Sequence, residues 1–277
     1  LKNDSQLLDP GVISRAETLG LHARFVVEGY MAGEHKSPYR GFAVEFAQHR
    51  EYSPGDDLRH LDWKVLGKTD RFYLKQYEQE TNYVAHILLD GSESMNYGSG
   101  KITKLQYGKI MAACLSYLIL NQRDAVSLSI FDHGVKSFEP RSDNRAVIHS
   151  IMNRLSSFQA TSAGKIGENL HDLAVQTKRK GIFIIISDLF EDEEEVLAGI
   201  QHLRFCKHEV ILLHVMDRYE LEFPLNGLIE FVGMEQAPNL VTPAHEIRKS
   251  YLEAVGNFQT RIRQGCEKND CHYHLAN

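Results

Sequence analysis

Two aspartates close apolar runs in this sequence: Asp90 ends VAHILLD and Asp188 ends IFIIISD. After Asp90 the chain reads Asp-Gly-Ser-Glu-Ser-Met, so the hydroxyls of Ser92 and Ser94 follow at intervals of two. If the two runs are strands of one sheet, a single loop brings a carboxylate and two hydroxyls to one point, within reach of the second carboxylate. Oxygen donors with few carboxylates suit Mg²⁺, a hard cation that keeps several of its waters. A metal held by so little negative charge stays electrophilic and can accept a carboxylate from another molecule. Each residue also has a plainer use, since an aspartate at a strand end forms turns and a serine there caps helices. The joint spacing, with the second aspartate 98 residues after the first, favours the metal.

The elements that must position these residues follow from the apolar pattern. From about Tyr83 onward, strand-like runs at 84–89, 125–131, 135–138, 182–186 and 209–216 alternate with helical patterns at 104–120, 144–155, 167–179 and 244–268. Acidic EDEEE at 191–195 opens a further helix, where negative charge suits the positive end of the dipole. The helix at 104–120 is apolar too broadly for a surface position and is expected in the middle of the domain. Gly181 is read as the stop of the 167–179 helix, and CHYHLAN at the end as a last strand, compatible with a natural chain that runs further. Continuous apolar strands alternating with helices specify parallel strands covered on both faces. The expected fold is therefore α/β, a doubly wound and mostly parallel sheet flanked by helices. Ligands of such sheets sit beyond the carboxyl ends of the strands, which is where Asp90 and Asp188 fall.

Composition narrows the function further. The 277 residues are 43% hydrophobic and 25% charged, ordinary for a globular chain and incompatible with disorder or coiled coil. Lys plus Arg is 31 against 37 for Asp plus Glu, a net charge of −6, which argues against a dedicated nucleic-acid binder. The most apolar run, Ile110 to Leu120, is interrupted by Ser116 and falls short of the ~20 residues of a membrane span. The opening LKNDSQLLDPG lacks a basic-then-apolar signal pattern. Cys114, Cys206, Cys266 and Cys271 form no CxxC pair and suit a reducing compartment, so a cytoplasmic location is expected.

Rival chemistries fare less well. An aspartate at a strand tip with Mg²⁺ can be a phosphoryl acceptor, which makes a Mg-dependent phosphohydrolase using Asp90 the alternative. Phosphatases of the haloacid dehalogenase type place a second aspartate two residues on as acid/base; here Ser92 stands there and cannot do that work at neutral pH. No GxGxxG or GxxxxGK[ST] loop is present for nucleotide binding. Among 14 histidines, His171, His202, His208 and His214 fall in separate elements and most are read as ordinary surface or core residues; His272 and His274 alternate on the presumed last strand, a spacing compatible with a metal but short of further ligands.

Asp90-Gly-Ser92-Glu-Ser94 resembles the metal-ion-dependent adhesion site of von Willebrand factor A domains, whose signature is DxSxS, then a distant Thr and a distant Asp. The resemblance implies Asp90, Ser92, Ser94 and Asp188 as ligands of Mg²⁺. The aligned stretch Ala163-Gly164-Lys165-Ile166 puts Gly164 where the threonine belongs, with Thr161 and Ser162 the neighbouring hydroxyls. A weakened metal is expected, with Lys165 bringing a competing positive charge.

A second signature lies upstream. RGFAVEFAQHREYSPGDDLRHLDW, from Arg40 to Trp63, alternates arginines and carboxylates with Phe42, Phe46, Tyr52, Leu58 and Leu61, so several charges must lie against an apolar face. A partly buried ionic network that includes Arg50 and Asp62 is expected. With GYMAGEHKSPYRG before it and KTDRFYLKQYEQETN after it, this string resembles the bacterial DUF58 family. That family couples an RGxxxEFxxxRxYxxGDDxRxxDW signature to a von Willebrand factor A-like domain, and its members commonly lie beside MoxR-type AAA+ ATPases. The resemblance implies a signature region at 1–80 packed on a von Willebrand factor A-like domain at 81–277. It implies a non-enzymatic, metal-assisted protein-interaction module, an adaptor or chaperone-like partner of a MoxR-type ATPase, without nucleic acid or a membrane span.

Overall fold

The computed structural model describes residues 44–53, 61–69, 71–79, 84–160, 162–233 and 239–277. They divide into two compact units, with the break between Asn82 and Tyr83. In the first unit, β1 (Val44–Glu51) and β2 (Tyr73–Gln79) form an antiparallel pair with an irregularity between Phe46 and Gln48. Between them runs the short helix α1 (Trp63–Thr69). Asp62 is buried and caps α1, its Oδ1 accepting from the amides of Lys64 at 2.9 Å and Val65 at 3.3 Å. Leu61 and Leu74 are buried as well, whereas Trp63 is exposed. The side chain of Arg50 and residues 40–43 and 54–60 of the signature lie outside the described residues.

The second unit is built on six strands: β3 (Val84–Asp90), β4 (Ala125–Phe131), β5 (Val135–Ser142), β6 (Ile182–Ser187), β7 (Glu209–Val215) and β10 (His272–Ala276). Their order is β10-β7-β6-β3-β4-β5, parallel throughout except for β5. Helices α2 (Lys104–Asn121) and α3 (Val147–Ser157) cover one face. Helices α4 (Ile166–Gln176), α5 (Glu193–Phe205) and α7 (Ala244–Lys268) cover the other. Alternate residues of each central strand feed the two cores: Ile87 and Leu89 of β3 pack under α2 and α3, and Leu88 packs on the opposite side. The sheet is thus doubly wound, as its apolar runs specify.

Helix α2 lies as close to the sheet as its composition demands. A side chain at Gly108 would come within 2.8 Å of Leu89 Cδ1, so glycine there lets helix and strand touch. Several elements depart from the sequence reading. The strand expected at 135–138 continues to Ser142 as the antiparallel edge, its exposed positions hiding it from an apolar search. Helix α4 stops at Gln176, ahead of Gly181. A short helix, α6 (Arg218–Glu222), and a hairpin of β8 (Leu228–Phe231) with β9 (Leu240–Pro243) are too short to show a period.

Candidate functional site

The chain leaves β3 toward β4 and β5, and leaves β6 toward β7 and β10, so the winding reverses between two hydrogen-bonded neighbours. The carboxyl ends of these two strands are the switch point where such sheets bind ligands. Asp90 is the last residue of β3, and Asp188 directly follows β6. A 3₁₀ turn at Glu93–Asn96 then folds the chain back, which points Ser92 and Ser94 inward.

The four side chains form one hydrogen-bonded cluster. Asp90 accepts from the Ser92 amide at 2.9 Å through Oδ1 and from Ser187 Oγ at 2.6 Å through Oδ2. The hydroxyls of Ser92 and Ser94 are 3.0 Å apart, and Ser94 Oγ donates to Asp188 Oδ1 at 3.1 Å. All four residues are buried, Asp90 and Ser94 to 1% exposure. The residues that the spacing of the sequence grouped are therefore brought together.

Asp188 is held from behind by its backbone. Leu189 adopts φ +57°, an unusual conformation for a bulky residue. Its amide donates to Ser187 Oγ at 2.8 Å, and its side chain is fully buried. Asp188 Oδ1 also accepts from the Phe190 amide at 3.3 Å.

The ammonium at the site is not the expected one. Lys165 turns away, pairing with Glu168 at 2.5 Å with its side chain half-exposed, while its amide donates to Asp132 O. Lys104, the first residue of α2, takes the place instead. Its Nζ lies 2.8 Å from Asp188 Oδ2 and 2.7 Å from Glu220 Oε1, with only 5% of the side chain exposed. Asp188 Oδ2 is thereby paired with the ammonium. Burial opposes the Lys104 charge, and the carboxylates of Asp188 and Glu220 overcome it, raising the ammonium above the ordinary lysine range. Asp90 has no such partner: burial first, and then the charge of Asp188, push its carboxyl from 3.8 up to about 7.

Sequence reasoning misses Lys104 and Glu220, though each leaves a trace. A lysine at the first position of a helix opposes the dipole and invites the question of what holds it. Asp217-Arg-Tyr-Glu220 is a capping box, in which Glu220 Oε2 accepts from the Asp217 amide at 2.8 Å.

Gly164 stands where the missing threonine would. A Cβ there would lie 3.1 Å from Ser92 Cβ, 3.6 Å from Ser92 Oγ and 3.7 Å from Asp90 Oδ1, so glycine lets the backbone pass close beside the cluster. Ser162 offers its carbonyl to the Glu93 amide at 2.9 Å, and Thr161 lies outside the described residues. The donors are oxygens only, two carboxylates and two hydroxyls, which fits a hard cation with a largely aqueous shell. Among the described residues no group of three or more His, Cys, Asp or Glu is placed to hold a metal. Any ion at the cluster would rest on the two carboxylates, the serine hydroxyls and water.

The model of the family described as protein of unknown function DUF58 matches residues 48–261. The chain belongs to the DUF58 family. Uncharacterized protein Rv1480 of Mycobacterium tuberculosis is 25% identical over 228 residues, 78% of this chain and 68% of that protein. Among solved structures, BatB from Bacteroides thetaiotaomicron is similar over 70% of this chain and 90% of its own, at 16% identity and a TM-score of 0.49. The SpRpn10 VWA domain is similar over 49% of this chain and 76% of its own, at 14% identity and a TM-score of 0.36. Among the described residues of this DUF58 chain, no helix is long and apolar enough to cross a membrane.

Proposed function

We propose that this chain is a non-enzymatic, von Willebrand factor A-like protein-interaction module in which Mg²⁺ at Asp90, Ser92, Ser94 and Asp188 assists the capture of a partner. The observation that carries this reading is the meeting of those four side chains at the switch point, with Asp90 buried and short of a counter-ion. A bound cation would offer a coordination position to an acidic side chain of the partner. The serines orient oxygens toward that position, Ser187 and the Ser92 amide fix the plane of the Asp90 carboxylate, and Lys104 neutralises part of the charge of Asp188. With Gly164 bringing no hydroxyl and Lys104 already in place, the metal is held weakly until the partner's carboxylate completes its shell. The family resemblance favours a MoxR-type AAA+ ATPase as that partner, with this chain as its adaptor.

The burial of Asp90 weighs against the phosphohydrolase alternative, since both its oxygens are engaged and a nucleophile must be reachable. The test uses the purified chain, a purified MoxR-type ATPase and a binding assay with Mg²⁺ or EDTA. Binding that needs Mg²⁺ and disappears in Asp90→Ala supports the proposal. Binding that is equal in EDTA and in Asp90→Ala rules out the metal's part, and no binding under any condition rules out the partner.

A further inference from the structure

Beside the cluster, a cleft of about 490 Å³ opens between the loop after β6 and the first half of α7. It shares Lys104 and Asp188 with the site and falls within the size of pockets that take small side chains or ligands. Its charges are unbalanced: Asp188, Glu191 and Glu220 line it against the single ammonium of Lys104. Asp188 is more than nine-tenths buried, and its Oδ2 is held by the Lys104 ammonium at 2.8 Å. The remaining wall is apolar and aromatic, with Phe190, Tyr251 and Phe258 beside Met216 and Val255. Phe190 is 60% exposed, which gives an apolar landing beside the cleft.

We infer that the cleft receives a basic side chain, lysine or arginine, from a partner polypeptide. Such a side chain is an apolar stem with a cationic head, and the cleft offers a counterpart to each. Aromatic faces attract cations, and carboxylates in excess of the one ammonium favour positive charge. An acidic head would meet three carboxylates, and a purely apolar one would leave their excess charge without a counter-ion. A free amine would use the charges but not Phe190, which is why a polypeptide is favoured. No metal enters this argument, so it stands or falls separately from the proposed function.

The test is made on the full chain in EDTA, by fluorescence polarisation with labelled Ala-Leu-Arg-Leu-Ala and its glutamate- and norleucine-centred counterparts. The arginine peptide should bind at least about tenfold more tightly than either, a difference of about 1.4 kcal/mol. Ala254 lines the cleft from the exposed surface of α7, so substitutions there spare the core. Ala254→Trp should abolish binding by filling the space, and Ala254→Glu should strengthen binding of the arginine peptide. Equal binding of the three peptides, no binding of any, or indifference to both variants would overturn the proposal. Spermidine displacing the arginine peptide at equal concentration would overturn it in favour of a free-amine site.

Discussion

The two ends of the β3–β6 strand pair bury polar groups by opposite means. At the carboxyl end the groups are charged: two carboxylates, with Lys104 shared between Asp188 and Glu220. At the amino end they are imidazoles. His86 stacks on Phe183 with ring centres 4.6 Å apart, and Phe183 meets His208 edge-on at 4.8 Å. His86 Nδ1 is 2.7 Å from Ser127 Oγ, and His208 Nδ1 is 3.3 Å from the Gly181 amide. Burial, reinforced by His208 and Arg141, lowers His86 from 6.5 to about 4, so the ring is neutral at physiological pH. An imidazole can shed its charge and be packed like an aromatic ring, whereas a lysine among carboxylates must be paired. The amino end is therefore built for cohesion, and the carboxyl end keeps charge that another molecule can address.

The sharpest way to break this contrast is to remove the ammonium. Lys104→Met leaves Asp188 and Glu220 without their counter-ion, and loss of one partner of a buried pair costs about 3–5 kcal/mol. Urea denaturation in EDTA measures it, and Mg²⁺ should then raise the melting temperature of this variant more than that of the wild type. A loss below about 1 kcal/mol would make the pair no more than surface decoration.

Next in size is the response to acid. A histidine lowered to about 4 stays neutral in the folded chain while the unfolded chain takes up its proton near 6.5, so stability is present above 6.5 and is lost as pH falls toward 4. His86 alone should contribute a loss of about 2–3 kcal/mol across that window, read as the difference between wild type and His86→Gln. Asp90 acts in the other direction. Its carboxyl is raised, so the folded form holds the proton more tightly and stability declines as pH rises from about 4 to about 7. Asp90→Asn, followed in EDTA, should remove that second slope. If both variants gave the same change, the two ends would not differ as described.

A smaller effect tests the side of the cluster that Gly164 adjoins. Gly164→Ser places a hydroxyl near Ser92 and Asp90, and calorimetric titration should find Mg²⁺ binding stronger by about tenfold, or about 1.4 kcal/mol. The crowding at 3.1 Å from Ser92 Cβ limits the gain. Smallest of all is Lys165→Ala, which should leave Mg²⁺ binding unchanged and move stability by less than about 0.5 kcal/mol, since its ion pair is exposed.

What the sequence discloses follows the same division. The strands at 84–90, 125–131, 182–187 and 209–215 are legible because burial on both faces requires an unbroken apolar run, and the aspartates are legible because they end such runs. Asp90, Ser92 and Ser94 lie close in sequence, so spacing alone groups them. Lys104 and Glu220 are 116 residues apart and meet only when α2 and α6 are folded beside the strand tips. Lys165 illustrates the reverse error, since nearness along the chain to Gly164 says nothing of where an ammonium points. The histidines of the amino end are legible as core residues, but their contact through Phe183 depends on the register of β3, β6 and the start of β7.

Leu189 carries a consequence for how this site tolerates change. Its backbone turns in a way that glycine or asparagine would adopt more readily, yet its side chain fills the core under α4 and α5. Glycine would relax the turn and leave a void, while valine or isoleucine would fill the core and resist the turn. Few residues meet both demands, so the position is constrained as narrowly as the acidic residue it follows. A side chain with no polar atom thereby governs where the second carboxylate stands, and screens that score only charged or hydroxylated positions will overlook it.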